Sequence, residues 1–305
     1  MPTLVGAVLR VGRALHLIAK PATHAVPLAA RGPTPTVGRD PTGLTTWQAT
    51  RSASRLAALR ADDRRAIQQA LADADPETQA QAHLRRAVAA GHSAAAVLGL
   101  AGELAGQPIS WLAERLSIVE DEPGAQNRSG FRVDQVDATT CGTTVLLAMA
   151  ANADPLAALD LTSERFGQHF DELQRRVHKQ STRFWPRALG TSPWGMVAWL
   201  RRHAPGVGPH RVRLVDDSNP ADVHAVIDEV SAALDRGDPV PLLIGTAIPR
   251  HYVMATGRDE CGWRVFEPSS GEVRIVEPAA IAEHRLAPLL GFDHLHAVLL
   301  PVAER

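Results

Sequence analysis

Three residue types that cooperate in acyl transfer, a cysteine, a histidine and a carboxylate, occur here in an order and setting that could do chemistry. The cysteine stands in Gln135-Val-Asp-Ala-Thr-Thr-Cys141-Gly142, just before the apolar run Val145-Leu-Leu-Ala-Met-Ala-Ala. At the first turn of a helix a cysteine faces unpaired N–H groups, which favour the thiolate, the nucleophilic form. Gly142 adds no side chain beside the sulfur and so leaves room for a substrate carbonyl. Gln135, six residues before the cysteine, sits where a loop can turn its side-chain amide toward the sulfur. It would supply one donor of an oxyanion hole, with the Cys141 backbone N–H as the other.

A cysteine nucleophile needs a base, and among 13 histidines His251 is the best placed, in Ile-Pro-Arg-His-Tyr-Val-Met-Ala-Thr-Gly. It opens an apolar strand, where its ring can face a cleft. Glu267 ends the next predicted strand, sixteen residues on and past the turn Arg258-Asp-Glu-Cys-Gly262. If the two strands form a hairpin, the strand end meets the strand start and the carboxylate can orient the imidazole.

A glutamine six residues before Cys-Gly, a histidine at a strand start and an acid followed by Pro resemble the papain-like peptidases of the bacteriocin-processing, double-glycine-leader type and their stand-alone bacterial relatives. The resemblance covers roughly the last 170 to 180 residues, the size of one domain. It implies a papain-like α+β fold with Cys141 as nucleophile, His251 as general base and acid, Glu267 as orienting residue and Gln135 as oxyanion donor. The chain departs from the family in two places: Asp or Asn is usual where Glu267 stands, and Asp is common where Thr140 precedes the cysteine. No membrane-spanning or ATP-binding region follows the expected domain, so the substrate of the transporter-linked branch is not carried over.

The elements that must position these residues are legible in outline. A helix is predicted from Thr139 or Thr140, another from Ser192 with Pro193 in its first turn, and a third between Asn219-Pro220 and Gly237. Strands are predicted at 212–215, 240–244, 252–256, 263–266, 273–276 and 296–302. From Thr46 to about Ser117, Ala, Leu, Arg, Glu and Gln dominate, and three or four helices fit. The polar run from Glu120 to Gly130 reads as the domain boundary. The expected organisation is therefore a basic amphipathic helix and linker over 1–40, a helical region over 41–119 and a papain-like domain over 120–305. A helical front followed by an antiparallel sheet is an α+β order.

Leu4, Val8, Val11, Leu15 and Ile18 recur at helical spacing opposite Arg10, Arg13 and Lys20. Residues 1–20 could meet a partner or an anionic membrane surface, or pack on the protein's own body. Residues 1–119 together could cover the cleft as a propeptide does. The 32 basic and 33 acidic residues nearly cancel, which argues against nucleic acid as a partner. Arg10 and Arg13 interrupt the apolar N-terminal stretch, no signal peptide is expected and no segment reaches transmembrane length, so a cytoplasmic location is expected. Cys141 and Cys261 are both expected as free thiols, Cys261 incidentally in a hairpin turn.

His294 and His296 alternate at a spacing that some metal sites use, but no further motif supports one and they read as polar residues of an edge. Phe184, Trp185, Trp194 and Trp199 could wall a peptide cleft. The expected function is a thiol peptidase acting on a peptide or protein substrate, with no metal or organic cofactor. The same residues would serve a deamidase or transglutaminase-type effector or toxin, and a catalytically silent papain-like module that binds a partner is the alternative of another class.

Overall fold

The computed structural model describes residues 3–14, 43–75, 78–163, 165–182 and 190–302. Leu15, Ile18 and Lys20 of the predicted amphipathic helix, the Pro/Thr-rich linker, Phe184 and Trp185 lie outside them. The helices are α1 (Leu4–Ala14), α2 (Thr46–Ala58), α3 (Ala61–Asp73), α4 (Ala80–Ala90), α5 (Ala94–Leu104), α6 (Ile109–Leu116), α7 (Cys141–Ala153), α8 (Pro155–Leu161), α9 (Phe166–Ser181), α10 (Pro193–His203), α11 (Pro220–Asp235), α12 (Pro278–Ala282) and α13 (Ala287–Leu290). The strands are β1 (Gly124–Ala125), β2 (Asn127–Arg128), β3 (Phe131–Arg132), β4 (His210–Leu214), β5 (Val240–Gly245), β6 (Pro249–Asp259), β7 (Gly262–Glu267), β8 (Glu272–Val276) and β9 (His294–Pro301). The fold class is α+β, as expected.

Seven strands form one antiparallel sheet in the order β1-β8-β7-β6-β5-β9-β4. Every residue of β5 is buried, because helices cover both faces. Leu243, Tyr252, Met254, Phe266, Ala297 and Leu299 face α7, α9 and α10. Their alternates Leu242, Ile244, Val253, Ala255, Val265 and Val298 face α11, and this period of two is what a pleated strand imposes. Local signals set the helix starts: Ser192 caps α10 through Gly195 N, Asn219 caps α11 through Ala221 N, and each helix has Pro in its first turn.

One expectation is corrected in the front half. Five helices, α2 to α6, occupy the stretch expected to hold three or four, since α2 and α3 are separated only by Leu59 and Arg60. In the polar run from Glu120 to Gly130, β1 pairs Gly124 with Val273 at the sheet edge, and β2 and β3 form a small hairpin beside it. Gly124, Ser129 and Gly130 take positive φ, so the turn-forming composition shapes a strand edge.

Helices α2 to α6 share a hydrophobic cluster that Leu159 of α8 joins to the body. They are fastened at the C-terminal end of α7, where Gly206 closes on Ala90 and the Ala153 carbonyl, and His92 Nε2 lies 2.8 Å from the Asp154 carboxylate. A 13-residue helix places that end about 18 Å from Cys141. These helices thus do not overlie the cysteine as a propeptide would.

Helix α1 docks on the body, but not by its apolar stripe. Leu4, Val8 and Val11 face outward at 57, 57 and 60 % exposure, whereas Leu9 is buried. The Leu4 N–H donates to the Ala247 carbonyl at 2.8 Å, the Thr3 hydroxyl to Asp217 at 2.7 Å and the Arg10 guanidinium to Asp216 at 3.1 Å. Two buried acids thereby meet the side of the helix that carries Thr3, Gly6, Leu9 and Gly12. No helix among the described residues is long and apolar enough to cross a membrane.

Candidate active site

Cys141 is the first residue of α7, and the helix is held there by the tight turn Asp137 to Thr140. The Asp137 carboxylate accepts from the Thr139 N–H and hydroxyl at 2.8 and 2.7 Å, and the Thr140 hydroxyl donates to the Asp137 carbonyl at 3.1 Å. Thr140 therefore does not cap the helix with its side chain. The N–H groups of the first turn remain as donors directed at the sulfur side. The Tyr252 N–H donates to Cys141 Sγ at 3.5 Å, which joins the start of α7 to the start of β6.

Gly142 has a different reason from the one expected. A Cβ there would lie 3.0 Å from Tyr252 Cδ2 and 3.3 Å from Thr191 Cβ. Protein fills that space, so the glycine serves the close approach of α7 to β6 and not the entry of a carbonyl.

His251 and Glu267 lie on neighbouring antiparallel strands, diagonal to one another on the face that also carries Val253 and Val265. His251 Nε2 is 2.6 Å from Glu267 Oε1, and both side chains are 7 % exposed. With Nε2 engaged, Nδ1 is the nitrogen left for Cys141, which lies close enough to favour the charged ring. Phe292 packs against the imidazole with ring centroids 6.0 Å apart.

The pair is strongly polarised. Burial works against a charged ring, but hydrogen bonds to Cys141 and Glu267 and their negative charge outweigh it and hold the His251 pKa up at about 9. Burial also disfavours the Glu267 carboxylate, yet the bond from His251, the Ser269 N–H, the imidazolium charge and the Ser270 side chain hold it down at about 2. Ser269 N reaches Oε1 at 2.9 Å and Ser270 N reaches Oε2 at 2.8 Å. The turn after Pro268 thus wraps the glutamate head.

Gln135 is brought to the same end of the sheet. Its N–H donates to the Pro268 carbonyl at 2.8 Å and its Oε1 accepts from the Ser269 hydroxyl at 3.3 Å. The amide orientation leaves Nε2 as the donor for a ligand. Gln174, fully buried on α9, holds the flanking backbone. It accepts from Val136 N at 3.0 Å and from Thr144 Oγ1 at 2.9 Å, and donates to the Asp134 carbonyl at 2.9 Å.

Hydrogen bonds link Gln135 to Ser269, Ser269 to Glu267 and Glu267 to His251, and Cys141 stands close enough to His251 to favour its charged ring, so all four expected residues come together. Trp194 is 57 % exposed at the start of α10, three residues after Thr191, while Trp199 is core and donates its indole N–H to Gln180 at 2.9 Å. Cys261 is exposed in the β6–β7 turn, and both cysteines are free. Sequence reasoning missed Ser269, Ser270, Gln174 and Phe292. The Pro-Ser-Ser-Gly turn was a visible signal for the serines, whereas a glutamine within an amphipathic helix offers none. Comparison with protein-family models, with curated proteins and with solved structures finds no match to the chain.

Proposed function

We infer that this chain is a cysteine-nucleophile amide hydrolase with a papain-like catalytic arrangement, acting on a peptide or protein substrate. The carrying observation is the buried grouping of Cys141, His251 and Glu267, in which His251 Nε2 meets Glu267 at 2.6 Å and both neighbours favour the charged ring. In this reading the Cys141 thiolate attacks the amide carbon and its electron pair forms the C–S bond, while the carbonyl π electrons move to oxygen. Gln135 Nε2 and the Cys141 N–H receive that oxyanion. The His251 Nδ1 proton passes to the leaving amine, the thioester remains, and water activated by the neutral imidazole releases the acid. Glu267 fixes the ring from Nε2 throughout and stabilises its charged form.

The test is alkylation of Cys141 by iodoacetamide across pH 5 to 9 in a Cys261→Ser background, with and without His251→Ala. A thiolate held by an imidazolium reacts at pH 6, where an ordinary thiol near 8.5 is almost wholly protonated. The expected result is rapid alkylation at pH 6 that falls at least ~10-fold in His251→Ala. Equal rates in the two proteins would remove the basis of the proposal. Digestion of a peptide library then separates chemistries: new termini support hydrolysis of the chain, and ammonia from intact peptides redirects the proposal to deamidation.

A further inference from the structure

Beside this thiol site, at the same end of the sheet, the fold assembles a second group of chemistry-bearing side chains. Asp217 follows β4, His284 follows α12 and His294 opens β9, and one ligand atom from each lies within 4.8 Å of the others. We propose that Asp217, His284 and His294 form a binding site for one divalent transition-metal ion of the zinc class, independent of the thiol chemistry.

The donor set is the first argument. Two imidazoles and a carboxylate are the ligands zinc prefers after thiolate, and three protein ligands leave the fourth tetrahedral position to water. Ligand distances of about 2.0 Å put tetrahedral donor atoms about 3.3 Å apart. Around the ion the exposed His284 side chain therefore closes in by an ångström or so, while Asp217 Oδ2 and His294 Nδ1, 2.5 Å apart, open by slightly less.

The surroundings are the second argument. Asp217 is buried at 4 % exposure, and its Oδ1 accepts from the Thr3 hydroxyl at 2.7 Å. That is the outer-shell support a ligating carboxylate needs. Its Oδ2 is 2.5 Å from His294 Nδ1, and the ion displaces the proton held between these two atoms to solvent. The His284 and His294 rings are already neighbours, with centroids 4.9 Å apart and planes tilted by 48°. His284 takes φ +51° at the end of α12, which turns the chain back toward β9.

His296 adds a third observation. It is fully buried two residues beyond His294 along β9, where the ladder to β5 shifts register, and Nε2 donates to the Thr246 carbonyl at 3.0 Å. Its Nδ1 is consequently a buried lone pair with no partner, beside Asp217 and His294. A water on the ion provides the donor that this lone pair lacks. The consequence for the molecule is local order. The ion would tie the start of α1, through Thr3 and Asp217, to the 284–294 segment whose Phe292 packs on His251.

The test uses the full chain carrying Cys141→Ser and Cys261→Ser, which removes thiol ligation, after treatment with a chelator. Zn²⁺ is titrated calorimetrically and Co²⁺ by its visible absorption. The expected result is one equivalent of Zn²⁺, a tetrahedral Co²⁺ spectrum, and loss of both in His284→Ala and in His294→Ala. Thr3→Val, which removes the outer-shell donor together with the acceptor for the Gly6 N–H, should weaken Zn²⁺ about 10- to 100-fold. Because His284 is exposed, His284→Ala should keep the parent's metal-free melting temperature, so its loss of binding reports the site and not the fold. No Zn²⁺ binding in the parent, or full affinity retained in His284→Ala, would overturn the proposal.

Discussion

His251 carries opposing demands, and the balance between them makes a testable pH dependence. Burial favours its neutral form, but Cys141 and Glu267 raise its pKa from 6.5 to about 9. The stability this contributes is complete below the unfolded value of 6.5 and is lost as pH rises through about 9. Glu267 works in the other direction, from 4.5 to about 2: its contribution is complete above 4.5 and lost as pH falls through about 2. The advantage of wild type over Glu267→Gln in denaturant unfolding should therefore be greatest between about pH 4.5 and 6.5 and shrink toward pH 9. In the proposed reaction the proton on His251 goes to the leaving amine. The alkaline limb of kcat/KM should accordingly have its midpoint near 9 and move toward the ordinary histidine range in Glu267→Gln. A wild-type limb near 6.5 would contradict the polarised pair.

At the scale of elements, the site is a meeting of three pieces: the start of α7, the start of β6 and the turn after β7. Their relative placement depends on groups that touch no substrate. Gln174 of α9 fastens the 134–136 backbone to Thr144 of α7 with three hydrogen bonds from one buried amide. Gln174→Leu keeps the apolar bulk but frees the loop that carries Gln135. Cys141 alkylation, which needs only the thiolate pair, should be unchanged, whereas kcat should fall about 100-fold, the cost typical of losing an oxyanion donor. Equal loss of both activities would assign Gln174 to folding alone.

For the whole molecule, the hydrophobic clusters define a helix–sheet–helix body and an attached helical group. Leu84 of α4 is 1 % exposed in the attached group. Leu84→Ala should cost about 2–5 kcal/mol of stability, read as a lowered melting temperature. It should leave Cys141 alkylation unchanged, because the group anchors at the far end of α7. A rise in peptidase activity would instead revive an inhibitory role for these helices.

The sequence by itself determined those features whose cause is local. Short apolar runs with turn-forming residues between several of them marked six strands, Ser192, Asn219 and the adjacent prolines marked helix starts, and Gln135, Cys141, His251 and Glu267 stood out by residue type and setting. Only the tertiary structure decided what depends on distant partners. Strand β9 enters between β5 and β4, which makes His296 a buried residue of the sheet interior and not of an edge, and brings His294 to Asp217. Gly124 becomes an edge strand because Val273 offers it a ladder, and α1 shows its apolar stripe to solvent because Asp216 and Asp217 claim its other side. A periodic pattern reports which face of an element is apolar, since that follows from backbone geometry within a few residues. It does not report which surface across the chain will meet that face, because that choice is made by long-range pairing and burial.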